Sequence, residues 1–238
     1  LGAPAMNNNA ERERLFVRWL DEVSKDASAI YLLGDIFDFW YEYKKVVPRG
    51  FVRTLGKLAE ITDNGIPVYF FTGNHDVWIF DYLPSETGVI VFRDPVEQTI
   101  DGKQFFLGHG DGLDSSEKGY LRLKRLFTSK HAQFWFSKLH PNFALWFGHE
   151  WAKSSRVSKG VAPEFIDDVE SVPAIKFAKR YIQHTKIDFF VFGHRHVMLD
   201  EKIGEEARVV ILGEWFNFFS YAVFDGINLE LKKYSIKP

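Results

Sequence analysis

The chain has no cysteine among its 238 residues, which excludes disulfides and thiolate metal sites. It also lacks any apolar run approaching the roughly 20 residues of a membrane span, and no signal-peptide pattern is visible. Neither sign of charge dominates. Lys and Arg number 30 against 32 Asp and Glu, a net charge of −2, so nothing global points to nucleic acid. A bound metal must therefore be held by His, Asp, Asn or Glu, which suits manganese, iron, zinc or magnesium better than thiophilic ions. What is present is apolar: a hydrophobic fraction of 46 % with 24 Phe. That is ample for a core, in a length that suits one domain with an insertion.

The chain is organised around Leu33-Gly34-Asp35-Ile36-Phe37-Asp38. An apolar run from Ala29 to Leu33 reads as a buried strand, so Asp35 falls just past its carboxyl end, where open α/β sheets hold ligands. Alone, Asp35 reads equally as a turn residue or a helix cap. Three more apolar runs end in the same way. Val68 to Phe71 precedes Gly73-Asn74-His75-Asp76, Phe105 to Leu107 precedes Gly108-His109-Gly110-Asp111, and Phe189 to Phe192 precedes Gly193-His194-Arg195-His196. Four strand ends that each deliver Gly with Asp, Asn or His form one functional constellation.

Taken in order, 1–9 reads as a loop, and Leu1 and Met6 suggest that residues precede it. Helical spacing predicts helices over 10–24 and 51–63, the second stopped by Asn64-Gly65 and Pro67. Alternation of strand and helix predicts parallel strands with helices on both faces. From Val89 the pattern shifts to short strands over 89–92, 96–100 and 104–107, with Asp101-Gly102 as a hairpin turn. These are expected to form an antiparallel element leading into His109. A helix over 174–183 and strands over 209–212, 221–224 and 229–234 follow, with Asp225-Gly226 as a second hairpin turn.

Residues 118–160 differ from the rest. Nine basic residues meet one acidic residue, Glu150, and aromatics interleave throughout. Pro141 divides two helical stretches, and Phe143, Phe147 and Trp151 recur at i+4 in the second. The segment reads as a helical lid: either a basic helix pair packed by its aromatic face, or a cover for a ligand both anionic and greasy. Such a helix also suits a membrane surface. His131, His140, His149 and His184 read as surface or cap histidines.

Asp35, Asn74, His109 and His194 offer a carboxylate, an amide oxygen and two imidazoles, an N/O ligand set for a divalent ion. His196 lies two residues on, so two imidazoles either face one site or serve two adjacent ions. Asp35 would be the bridging carboxylate of such a pair. Two ions together clamp the attacking and leaving oxygens of a displacement at phosphorus and activate water. His75 could donate a proton to the leaving oxygen or bind a phosphate oxygen, and Asp76 either orients it by a hydrogen bond or caps the loop.

Gly-Asp-x-Phe-Asp, Gly-Asn-His-Asp, Gly-His-Gly-Asp and Gly-His-Arg-His, in that order, resemble the calcineurin-like metallophosphoesterase superfamily. The resemblance covers most of the chain. It implies an α/β fold, a four-layer αββα sandwich in a single domain over 1–238 with a lid inserted at about 118–160. It also implies a dinuclear site in which Asp35 bridges, Asn74, His109 and His194 complete one position, and His196 belongs to the other. The superfamily's opening Asp-x-His motif is usually followed by Leu-Gly; this sequence begins with Leu1-Gly2, so that motif is expected to precede Leu1, leaving one position incomplete here. Manganese is the expected ion, with iron or zinc as alternatives.

Phe39-Trp40, His109-Gly-Asp-Gly-Leu, Glu117-Lys-Gly-Tyr, Trp151-Ala-Lys-Ser-Ser-Arg and Leu212-Gly-Glu-Trp are similar to the UDP-2,3-diacylglucosamine diphosphatases of lipid A synthesis. The similarity implies hydrolysis of that glycolipid to UMP and 2,3-diacylglucosamine 1-phosphate, with the lid enclosing two acyl chains. Glu117, Lys153, Ser155, Arg156 and Arg195 are the expected substrate contacts. His75 stands where the best-known members carry Arg, and Glu117 where they carry Asp. The expected setting is the cytoplasmic surface of the inner membrane of a Gram-negative bacterium, with no nucleic acid and no obligate protein partner. Alternatives are another small-molecule or nucleotide phosphodiesterase on the same scaffold, or a binding scaffold without activity.

Overall fold

The computed structural model describes residues 1–3, 8–114, 118–159, 166 and 168–235, and of 154–159 the backbone alone. The fold is mixed α/β with several sheets. The chain divides into two compact units, Leu1–Arg93 with Gly119–Val161, and Asp94–Lys118 with Ala162–Pro238.

The first unit opens with α1 (Asn9–Val23), β1 (Ile30–Leu32), α2 (Val52–Asp63), β2 (Val68–Phe71), α3 (Tyr82–Thr87) and β3 (Ile90–Phe92). The strands form one sheet in the order β1-β2-β3, all parallel, because each connection carries a crossover helix. Helical spacing is realised as burial: Phe16, Trp19 and Leu20 on α1, and Thr54, Leu58 and Ile61 on α2, face inward. Ile90–Phe92 corrects the sequence reading. It joins β2 in parallel rather than an antiparallel element, since the six-residue α3, too short to show a period, supplies the crossover.

Helix α3 is anchored by Glu42, which is 4 % exposed. One carboxylate oxygen, Oε2, accepts from the amides of Phe80, Asp81 and Tyr82, and Oε1 from Leu83 and the Trp40 indole. These include first-turn N–H groups that no helix can satisfy internally, and negative charge is favoured at that end.

Beyond β1 and β2 the two chains keep company. Trp40 N–H donates to His75 O and Glu42 N–H to Trp78 O, with a parallel bridge between Tyr41 and Trp78. On this ledge sit α4 (Lys118–Thr128), α5 (Lys130–Phe136) and α6 (Pro141–Lys159). The expected single break at Pro141 is joined by a second, where Ser129 Oγ caps α5 by accepting from Ala132 N–H. Phe127, Phe136 and Leu145 pack on Phe39, Tyr41 and Trp78. The Trp78 indole donates to Phe127 O near the end of α4, and Tyr41 Oη to Gln133 O. Burial pushes both ledge tyrosines up, Tyr43 to about 12.

Helix α6 turns its small residues inward. Ala144 and Ala152 are buried, and a Cβ on Gly148 would overlap the Phe39 ring. Its aromatic residues face outward: Phe143, Trp146, Phe147 and Trp151 are exposed, the ring pairs Phe143–Phe147 and Phe147–Trp151 in contact along that face. The reading in which the aromatic face packs the helix down is therefore reversed.

The second unit comprises β4 (Val96–Ile100), β5 (Lys103–Gly108), α7 (Pro173–Tyr181), β6 (Phe189–Phe192), β7 (Met198–Ile203), β8 (Ala207–Leu212), β9 (Ser220–Phe224) and β10 (Leu229–Lys233). Its main sheet runs β4-β5-β6-β8-β7. Strands β5, β6 and β8 are parallel, flanked by antiparallel β4 and β7. The Asp101-Gly102 turn has both residues at positive φ, 46° and 79°, as a two-residue hairpin of matching twist requires. All four residues of β6 are buried, which fits a central parallel strand. Phe106, Phe190 and Phe192 pack with Ile175 and Ala178 of α7. Strand β7 escaped the sequence reading because its face alternates charge with partly buried residues.

Glu42→Gln keeps the volume but turns an NH2 toward amides that need an acceptor. The expected loss is about 2 kcal/mol of unfolding free energy, read from urea denaturation; an unchanged midpoint would show the amides to be satisfied otherwise.

Candidate functional site

In the first unit, the parallel register that pairs Ile30 with Val68 and Leu32 with Phe70, continued past the strand ends, sets Asp35 opposite Gly73. The approach is close enough that a Cβ on Gly73 would overlap Asp35 Oδ1 and lie 2.6 Å from its backbone nitrogen. Asp35 itself takes a left-handed conformation, φ 55°, after Gly34 at 84°. Its Oδ1 accepts from the amide of His75 at 2.8 Å.

Asp76 is fully buried. Its Oδ1 accepts from the amides of Gly73 (2.7 Å) and Asp35 (3.2 Å), and its Oδ2 from Ile36 (2.8 Å) and Phe37 (3.3 Å). The sequence reading left Asp76 either to orient His75 or to cap its loop. His75 Nδ1 lies 2.8 Å from the Asp38 carbonyl, and the bonds of Asp76 hold the Asp35 loop. A carbonyl only accepts, so the Nδ1 proton is fixed and Nε2 is the nitrogen turned to other partners. Phe37 keeps the loop down, stacked on Trp40 at 4.4 Å and edge-on to Phe51 at 4.9 Å.

In the second unit, Gly108 and Phe192 stand in register at the ends of β5 and β6, so the residues that follow emerge side by side. His109 is buried. Its Nε2 lies 3.2 Å from His194 Nδ1, the rings 5.0 Å apart and near perpendicular. His194 is also left-handed, φ 61°. Two nitrogens each about 2.1 Å from one ion, at near-tetrahedral or octahedral angles, would stand about 3.0–3.4 Å apart. The pair therefore fits a shared cation, and with oxygen donors it makes a set for hard to borderline ions.

His196 lies beside Phe216, ring centroids 6.2 Å apart. Arg195 donates its backbone N–H to Gly193 O. Lys153 is half exposed on α6, 4.0 Å from Glu150. Glu117 lies outside the described residues, as do the side chains of Ser155 and Arg156. Of the four histidines read as surface groups, His131, His140 and His184 are exposed. His149 is not: its Nδ1 meets Asp38 Oδ2 at 3.3 Å, and that carboxylate is 1 % exposed. The signal for it was the small-residue spacing Ala144, Gly148, Ala152 beside it.

Residues 10–198 match the model of the family described as Calcineurin-like phosphoesterase. The chain is 40 % identical over 232 residues to the UDP-2,3-diacylglucosamine hydrolase of Porphyromonas gingivalis, covering 92 % of this chain and 88 % of that protein. It is 28 % identical to the protein of the same name from Pseudomonas fluorescens, covering 92 % and 91 %. With that from Neisseria gonorrhoeae it shares 27 %, covering 88 % and 85 %.

Gly73→Ala forces the Asp35 carboxylate to move. Since a displacement of about 1 Å at a reacting centre costs on the order of 100-fold, phosphoester hydrolysis should fall by about that factor, and the melting temperature should fall too, because the Asp35 backbone must also shift. Retained activity would show that Asp35 needs no such placement.

Proposed function

The chain belongs to the calcineurin-like phosphoesterase family of hydrolases, and on that premise we propose that it cleaves the diphosphate of UDP-2,3-diacylglucosamine, releasing UMP and 2,3-diacylglucosamine 1-phosphate. The observation that carries this reading is the 40 % identity, over 92 % of the chain, to a protein named for that substrate. The lid supports it: basic residues suit a diphosphate, and the outward aromatic residues of α6 suit acyl chains.

In this reading Asp35, Asn74, His109 and His194 hold one divalent cation, with manganese first in expectation, and Asp35 and His196 serve a second. Divalent ions supply water activation and neutralise charge gathering at phosphorus. The chain's own residues place these groups. Asp76 fixes the Asp35 loop through four amides, and Asn74 contributes a neutral oxygen. His75, with its Nδ1 proton kept by Asp38 O, acts through Nε2. As an imidazolium it passes the Nε2 proton to the leaving phosphate oxygen and is left as the neutral Nδ1–H tautomer. Lys153, Ser155, Arg156, Arg195 and Glu117 contact the sugar nucleotide.

We place the protein on the cytoplasmic surface of the inner membrane, where its substrate resides. Among the described residues no helix is long and apolar enough to cross a membrane. Attachment then rests on the exposed aromatic and basic residues of the lid. A second reading, another phosphodiesterase of the same family, is favoured by one feature: the general superfamily residue His75 in place of Arg.

Purified protein with Mn2+ should release UMP from UDP-2,3-diacylglucosamine, and chelation by EDTA should abolish the release; hydrolysis of bis-p-nitrophenyl phosphate without UMP release would favour the second reading. His109→Ala should cost more than about 100-fold on both substrates, and unchanged rates would remove the metal from the mechanism. Trp146→Ala and Phe147→Ala should raise KM for the glycolipid by about tenfold each, the value of one lost apolar contact, and leave the small diester untouched. Equal losses on both substrates would remove the lid from lipid recognition.

A further inference from the structure

Leu212-Gly213-Glu214-Trp215, one of the stretches on which the resemblance rests, supplies no ligand to the cation set. It leaves β8 at the working end of the second unit's main sheet. Phe192 pairs with Gly108 on one side and with Ile211 on the other, so three parallel strands finish level. The segments that follow them, which carry His109, His194 with His196, and residues 213–219, emerge along one edge.

The loop over 213–219 is built to a fixed shape. Gly213 turns at φ 84°, so near its neighbours that a Cβ would lie 2.7 Å from Ser220 Oγ. Ser220 Oγ closes the base of the loop by donating to Leu212 O, and Tyr234 N–H donates to Phe219 O at 2.7 Å. Inside the loop, the Glu214 carboxylate accepts from the amides of Phe216, Asn217 and Phe218. The Trp215 ring is stacked on Tyr234, 6.1 Å away and 18° from parallel, with Phe219 edge-on to it at 5.7 Å. Phe216 stays partly exposed on this scaffold, its ring centroid 6.2 Å from that of His196. Asn217, the next residue, is exposed.

We propose that this loop is the nucleoside subsite: the uracil of the substrate, and of the UMP it releases, stacks on the Phe216 ring with the Asn217 amide at its polar edge. The inference rests on the substrate proposed above. Cleavage at the uridine-bearing phosphate keeps UMP whole, so the base lies one ribose away from the phosphorus under attack. Phe216 borders the cation set through His196, at the start of that path. The acylated half of the substrate is assigned to the lid, which the first unit carries, so the nucleoside half falls to an element outside it. The side chains suit a pyrimidine. Every base has a π-face that an aromatic ring receives, and an Asn amide offers a donor and an acceptor to match O4 and N3–H of uracil. A loop already ordered by Glu214 loses little freedom on binding, which favours affinity.

The test compares UMP with ribose 5-phosphate as competitive inhibitors of bis-p-nitrophenyl phosphate hydrolysis in the presence of Mn2+. The two share phosphate and ribose and differ by the base. The wild-type protein should bind UMP about tenfold tighter, the worth of one base stacked on one aromatic ring. Phe216→Leu should bring UMP to the level of ribose 5-phosphate, and Phe216→Trp should restore the gap. Asn217→Ala, at an exposed position that the fold does not need, should narrow the gap about threefold. A ring that merely props His196 would weaken both phosphates by the same factor, and that result overturns the proposal. So does a wild-type protein that binds the two alike, or a gap that neither variant moves. Calorimetric titration of the Mn2+-loaded protein with each phosphate reads the same gap without turnover, whatever a variant does to the rate. Hydrolysis of UDP-2,3-diacylglucosamine is scored separately. Release of UMP by a protein that shows no gap sinks the subsite alone. A gap that follows Phe216, without such release, counts against the assigned glycolipid and leaves the subsite standing.

Discussion

One buried carboxylate, that of Asp76, holds the first unit's end of the chemistry together. Four main-chain amides, from Asp35, Ile36, Phe37 and Gly73, point at its two oxygens. These amides lie past the ends of β1 and β2, where the sheet no longer satisfies them, and an unsatisfied buried N–H costs about 1–3 kcal/mol. A carboxylate with four lone-pair sites answers them from one point. The result is a loop whose shape is set by the main chain of its neighbour, and on which the Asp35 side chain has little freedom. Glu42 repeats the device at the start of α3. In both cases the anion's role is to define backbone, and the function lies in what that backbone carries.

The second unit reaches a similar end by register. Parallel strands β5 and β6 finish level, so His109 and His194 need only follow their glycines to emerge as neighbours. An antiparallel pair would have sent the two imidazoles to opposite ends of the sheet. The parallel centre and antiparallel rims of this sheet thus bear directly on the site: the rims close the sheet, and the centre delivers ligands. The burial of all of β6 is the cost of that position, since a strand covered on both faces must be apolar throughout.

Much of this was legible in the sequence. Apolar runs ending in Gly-Asp, Gly-Asn-His, Gly-His and Gly-His marked the four strand ends, because a strand that stops to present a ligand must change both polarity and backbone freedom at once. Helices α1 and α2 declared themselves by spacing. What stayed hidden was hidden for physical reasons. Helix α3 spans little more than one turn and is held by a distant carboxylate. The direction of β3 depends on the crossover that α3 provides. Helix α6 stayed open between two readings because a stripe of aromatics at i+4 looks the same whether it packs inward or outward; the small residues Ala144, Gly148 and Ala152 on the opposite side decide it. His149 sat among surface-like neighbours; the small-residue spacing beside it and the Asp38 carboxylate beneath it set it apart.

Two positions show how strain is spent. Asp35 and His194 are both non-glycine residues in the left-handed region, a conformation that costs roughly 1–2 kcal/mol. Each follows a glycine, and each is over-determined by its neighbours. Asp35 is caught between the Asp76 carboxylate, which takes its amide, and the bare Cα of Gly73. His194 is the middle of a three-residue turn closed by Arg195 N–H on Gly193 O at 2.7 Å, while Gly193 N–H is bound to His109 O at 3.0 Å. A residue in ordinary extended geometry would send its side chain to one face of the sheet. The left-handed turn instead sends it off the strand's end, the direction in which a ligand can be shared. Strain of this kind persists only where the surroundings enforce it. The hydrogen bonds that enforce it here are the ones that a sequence motif cannot display, because they run from main chain to main chain and from main chain to Asp76.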